Sequence, residues 1–138
     1  MDQKTENEKK KEYLKSYRDA VIAETQIKEE IDQLRLDKMF PSLVQDGMPH
    51  GSGSSDLSAY AAKLDELLSE LEEQMNERIQ LRREIVRKIE SMDSETEKAV
   101  LRYRYIHMLK WEEIAVKMSY TWQHIHRIHG KALSHFEM

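Results

Sequence analysis

Both prolines and three of the four glycines of this chain fall between residues 40 and 55. Proline lacks a backbone N–H and clashes with the preceding helical turn, and glycine costs about 1 kcal/mol in a helix interior relative to alanine. Gathering these residues into one stretch leaves long uninterrupted runs on either side, without clusters of β-branched residues. The class that follows is all-α: a long antiparallel, coiled-coil-like helical hairpin, then a small C-terminal three-helix domain. The expected divisions are a first long helix at 1–39, a flexible linker at 40–55, a second long helix at 56–92 and the C-terminal domain at 93–138.

In the first helix Leu14, Tyr17, Val21, Ile31 and Leu34 recur at helical spacing, with Thr25 and Lys28 interrupting the stripe. In the second, Leu64, Leu68, Leu71, Met75, Ile85, Ile89 and Met92 follow alternating steps of four and three, with Arg78 and Arg82 in the same register. An arginine on such a seam is costly unless a carboxylate faces it. Alternatively Ile79, Leu81 and Val86 take over after a shift of register. Phe40, Leu43, Val44 and Met48 suggest that the first half of the linker packs against something. The helices read as charged spacers with a narrow apolar seam, which a second copy of the chain can complete. A homodimer through the long helices is therefore expected.

The C-terminal segment carries the functional signal. Asp93 or Ser94 can cap a helix over 95–108, with Glu95 to Glu97 in its first turn and Ala99, Leu101, Tyr105, Ile106 and Leu109 as core candidates. A second helix runs from Trp111 to Met118, Ser119-Tyr120 makes a turn, and Thr121 caps a last helix reaching Phe136. Ile114, Ala115, Met118, Ile125 and Ile128 sit where two crossing helices must touch, and Ala115 leaves room for a steep crossing. This is a helix-turn-helix pattern, a motif that commonly lays its second helix in the DNA major groove. An ordinary helical hairpin without a DNA partner is the plainer alternative, since fold alone does not give function.

Charge qualifies that expectation. The 138 residues are 35% charged with a net charge of -4, mildly unfavourable for DNA binding. From Val100 to His135, however, six Lys/Arg face two Asp/Glu, or +4, with five histidines in the same region. The basic character is local and modest, so one isolated copy is expected to bind with modest affinity. The absence of cysteine excludes disulfides and cysteine-based zinc sites. The polar N-terminus and the lack of any apolar run near the ~20 residues that span a bilayer imply a soluble cytoplasmic protein with no membrane partner.

If the last helix enters the groove, Trp122, Gln123, His126 and Arg127 project outward from a core of Ile125 and Ile128. Gln123 suits adenine, and Arg127 guanine or phosphate. Trp122 either touches a thymine methyl or folds back onto Tyr120. Thr121, His124 and Lys131 suit phosphates, as does Lys110 just ahead of the first motif helix. Each of these residues is equally at home on a solvated helix face. His126 and His129 share a face, but zinc needs three or four converging ligands, so no metal is expected. Glu112 and Glu113 point in different directions, and Glu113 reaches a backbone amide or an arginine of the last helix. No phosphate loop, nucleophile arrangement or cofactor motif is present, and no enzyme is expected.

Glu97-Lys-Ala-Val-Leu-Arg-Tyr-Arg-Tyr followed by Leu109-Lys-Trp-Glu-Glu-Ile-Ala resembles the promoter-reading C-terminal domain of bacterial sigma factors. Met48-Pro-His-Gly-Ser-Gly with Leu57-Ser-Ala-Tyr-Ala-Ala-Lys-Leu-Asp is similar to small phage and prophage proteins of Gram-positive bacteria, the ArpU- and RinA-type late transcription regulators. The resemblance covers roughly the last two thirds of the chain. It implies a DNA-binding transcription regulator, with double-stranded DNA and RNA polymerase as partners. Two departures stand out. Sigma-type domains carry glycine at the turn where this chain has Ser119, which implies a differently shaped turn. Gly130 lies inside the last helix and either weakens it or admits a close backbone approach. The polymerase-core-binding and DNA-melting parts of a sigma factor are not recognisable. Two rivals share the pattern: a small-terminase-like phage packaging protein, which assembles as a ring, and a coiled-coil interaction module that binds protein only.

Overall fold

A computed structural model describes residues 2–40 and 53–138, with the side chains of 53–55 aside. The chain is all-helical. Helix α1 spans Gln3–Met39 and α2 spans Gly53–Glu90. Asp2 caps α1 by accepting the backbone N–H of Thr5 at 2.8 Å. The second long helix starts at Gly53, earlier than the 56 read from the sequence, so Gly53 to Ser55 belong to the helix and not to the linker. The packing expected of Leu43, Val44 and Met48 lies outside the described residues. Among the described residues, no helix is long and apolar enough to cross a membrane.

Two compact units divide the chain: residues 1–20 with 78–138, and residues 21–77. The first is larger than the 93–138 segment expected to stand alone. In it Tyr13 donates to Glu84 at 2.8 Å and receives Lys88 at 2.9 Å, while in the second Lys38 sits 5.7 Å from the Tyr60 ring centroid. Within each unit, therefore, a segment of α1 lies against a segment of α2.

The seam of α2 keeps most of the expected register: Leu64, Leu71, Met75, Ile85, Ile89 and Met92 are all buried or half-buried. Leu67 is buried and Leu68 is exposed. Leu64, Leu67, Leu71, Gln74, Arg78, Leu81, Ile85, Lys88 and Met92 form an unbroken three-four repeat, with each residue buried or half-buried. Leu81 replaces Arg82, which is exposed, whereas Arg78 stays on the seam. On α1 the buried positions are Leu14, Tyr17, Glu24 and Ile31. Glu24 is 4% exposed and lies 3.4 Å from Lys28. The stripe is thus continued by a carboxylate where the hydrophobic pattern looked broken.

After Ser91–Ser94, α3 spans Glu95–Leu101, capped by Ser94, whose hydroxyl accepts the Glu97 N–H at 3.2 Å. The helix then widens into a π-helical turn over Arg102–Ile106 instead of continuing as an α-helix to 108. One added residue in that turn brings Tyr105 and Ile106 inward together. Helix α4 spans Trp111–Met118 and α5 spans Trp122–His135. Val100, Ile114, Ala115, Ile125 and Ile128 make the core, with Tyr103, Leu109, Trp111 and Met118 packed against it. Val100 was not anticipated; Ala99 and Leu109, expected inside, are only half-buried.

The first unit is closed from two sides. Lys10 of α1 donates to the carbonyl of Leu133 at 2.8 Å, satisfying the C-terminal end of α5, and the Tyr13 and Phe136 rings lie 6.2 Å apart. Arg102 of the π-turn pairs with Glu90 of α2 at 2.7 Å.

Candidate nucleic-acid interface

The crossing of α4 and α5 is built around Ala115, which is 9% exposed between Ile114 and Ile125. The turn that follows is a Schellman motif. Tyr120 N–H bonds the Ala115 carbonyl at 3.0 Å and Ser119 N–H the Val116 carbonyl at 3.2 Å. Ser119 takes φ 57°, ψ 41°, the left-handed conformation that glycine usually provides. The turn therefore keeps the ordinary shape despite its serine, and the expected change of shape does not occur. Thr121 is spent on capping: its hydroxyl accepts His124 N–H at 3.1 Å. Glu113 accepts the Lys110 N–H at 3.1 Å, one of the two partners its position suggested.

These constraints set which side chains α5 displays. Gln123, Arg127 and Lys131 are exposed and lie four residues apart, forming one stripe along the helix. Thr121 and Lys110 are exposed at the starts of α5 and α4. Trp122 is 51% exposed. It does not fold onto Tyr120, whose ring instead meets His124 edge-on at 4.6 Å, leaving His124 half-buried.

His126 is half-buried, unlike the exposed Gln123 and Arg127 expected to project with it. Its ring lies between Trp111, 4.7 Å away, and Trp122, 4.1 Å away, and its Nε2 is buried without a hydrogen-bond partner. Both ring pairs are tilted, at 44° and 57°, within the range of favourable aromatic contacts. The same Trp111 ring meets His129 at 4.6 Å and carries the Arg104 guanidinium 4.5 Å from its centroid. A ladder of Arg104, Trp111, His126 and Trp122 thus braces the first turn of α5 from behind. Sequence reading passed over Trp111 and Arg104, because their partners lie on other helices.

His129 is 7% exposed, with Nε2 2.8 Å from the Tyr105 hydroxyl. Burial pushes its pKa down to about 4, helped by the positive charges of Lys11, Arg104 and Lys15. Burial likewise pushes the Tyr105 hydroxyl up to about 12. His135 Nδ1 lies 2.9 Å from Glu97, a carboxylate expected at a helix start and found 8% exposed.

No protein-family model, curated protein or solved structure matches the chain. The chemistry is therefore read from this arrangement alone. A rigid α5 presents an amide, a guanidinium and an ammonium on one side, and is held by aromatic and aliphatic packing on the other. Such a rod offers hydrogen-bond donors to base edges and phosphates at fixed spacing.

Charge is distributed in keeping with that. The first unit holds 18 Lys/Arg against 13 Asp/Glu, or +5, and the second 4 against 13, or -9. The net charge of -4 thus hides a cationic unit that contains the helix-turn-helix.

Proposed function

We propose that this chain is a sequence-specific DNA-binding regulator of transcription, of the phage and prophage kind its residues resemble, with α5 entering the major groove. The observation that carries this reading is the exposed stripe of Gln123, Arg127 and Lys131 on a helix braced by the Ala115 crossing. Side chains on such a stripe reach successive base edges, while Lys110 and Thr121 meet the flanking backbone. No catalytic role is assigned to any residue. The long helices serve as the arm that joins a second copy of the chain or engages RNA polymerase. Ile22, Leu36, Leu57 and Leu68 are exposed on them and suit such a contact.

Fluorescence anisotropy tests the reading, with labelled duplexes from the region around the protein's own gene and scrambled duplexes of the same length. The expected result is preferential binding to one native segment, weakening steeply between ~50 and ~200 mM salt. Failure to bind any duplex at the lower salt refutes it.

A further inference from the structure

A cationic cleft of about 270 Å³ lies on the first unit, lined by Lys15 and Arg18 of α1 and by Arg104, Tyr105, Met108 and Lys110. Four of its six lining residues are cationic and no carboxylate lines it. Lys15 and Arg18 stand three apart on α1, share a face and are exposed. The π-helical turn and the left-handed Met108, at φ 56°, carry the chain round so that Arg104 and Lys110 come to the same opening.

The cleft is held in shape. Arg104 donates from Nη1 to the Leu109 carbonyl at 3.0 Å and rests on Trp111, which uses one of its five N–H donors and fixes the plane of the rest. Tyr105 is anchored at 2.8 Å to His129. Glu8, whose charge reaches both Lys15 and Tyr105, is engaged by Lys11 at 3.0 Å. The cations of the cleft thus keep their charge available for an outside anion. A planar guanidinium beside ammonium groups suits phosphate oxygens.

Lys110 opens α4, whose N-terminal end faces the backbone in helix-turn-helix complexes. Arg104 connects through Trp111 and His126 to Trp122, at contacts of 4.5, 4.7 and 4.1 Å. With α5 in the groove, Lys110 stands toward the flanking backbone, and the cleft that it lines opens beside it.

We infer that the cleft formed by Lys15, Arg18, Arg104 and Lys110 binds the phosphate backbone of duplex DNA, so that the N-terminal helix takes part in DNA binding. This inference rests on the proposed function. It also supplies the charge that the C-terminal segment lacks by itself.

The test measures binding of the full chain to a native and a scrambled duplex across a salt series. It compares wild type, the Lys15→Gln/Arg18→Gln double variant, and Lys63→Gln of the second unit as control. Circular dichroism checks that all three fold alike. The double variant is expected to weaken binding to both duplexes by the same factor. It should also make the slope of log affinity against log salt shallower by about 2, near 1 for each phosphate that is no longer neutralised. Lys63→Gln is expected to leave the slope unchanged. Wild type that binds duplex with an unaltered slope in the double variant overturns this inference alone; wild type that binds no duplex overturns the functional reading and the inference with it. Inorganic pyrophosphate, titrated by calorimetry, separates the sources of phosphate. Micromolar pyrophosphate binding that the double variant abolishes, with the DNA slope unaltered, assigns the cleft to a small phosphorylated ligand and overturns the backbone role.

Discussion

The Tyr105 hydroxyl and His129 Nε2 lie 2.8 Å apart in a buried hydrogen bond that ties the π-helical turn to the middle of α5. The pair sits directly behind the face that α5 displays, so the protonation state of one imidazole is coupled to how firmly that face is held.

Acid is expected to destabilise the first unit through His129. Its folded pKa, about 4, lies below the ordinary 6.5. The unfolded chain therefore binds a proton between those values that the folded chain does not. Stability contributed by neutral His129 is present above pH 6.5 and is lost as pH falls toward 4, at up to about 1.4 kcal/mol per pH unit. His129→Gln keeps a hydrogen-bonding group at the position but removes the titration. Urea unfolding at about pH 7, 6, 5 and 4.5 should show a shallower pH slope for the variant, and parallel slopes would place the acid sensitivity elsewhere.

Gln123→Ala and Arg127→Ala are each expected to lower affinity for the native duplex by about 1–3 kcal/mol, relaxing preference more than total binding. Both side chains are exposed, so helical content should be unchanged. Competition anisotropy against scrambled DNA reads the effect. Equal preference in wild type and both variants would remove this face from sequence reading.

Ser119→Gly is expected to stabilise the protein by about 0.5–1 kcal/mol. Serine at φ 57° bears the steric cost of a Cβ in the left-handed region, and glycine does not. The glycine gains more flexibility in the unfolded chain, so the net effect is smaller than the strain relieved. A fall in thermal midpoint would contradict this account of the turn.

Gly130→Ala is expected to stabilise α5 by about 0.5–1 kcal/mol, because a Cβ built there meets no atom within 4 Å. Of the two roles its position suggested, the close backbone approach is not what the structure contains. Thermal unfolding monitored by circular dichroism measures the gain; destabilisation would mean that α5 packs more tightly in solution at this point.

Local signals were strong where they were self-contained. The glycine and proline cluster placed the break between the long helices to within a few residues, and Thr121, Ala115, Ile125 and Ile128 placed the helix-turn-helix. The seam of α2 was harder. Leu67 and Leu68 are adjacent leucines between which spacing does not choose, and Leu67 is the one that is buried. His126 was hard for a related reason. A helical wheel puts it on the outer face, but two tryptophans lie against its ring, Trp111 of α4 and Trp122 of the first turn of α5.

What the linear order of residues determined by itself was the all-helical class, the end of α1 near Met39, the crossing at Ala115 and the outward stripe of Gln123, Arg127 and Lys131. Each depends on contacts between residues a few positions apart, which propensity and periodicity encode directly. What only the tertiary structure decided was the half-burial of His126, the burial of His129 on Tyr105, the Glu97–His135 pair and the cleft where Lys15 and Arg18 meet Arg104 and Lys110. Those pairings join residues of different helices, and they form only when packing of the apolar core fixes which helix faces which.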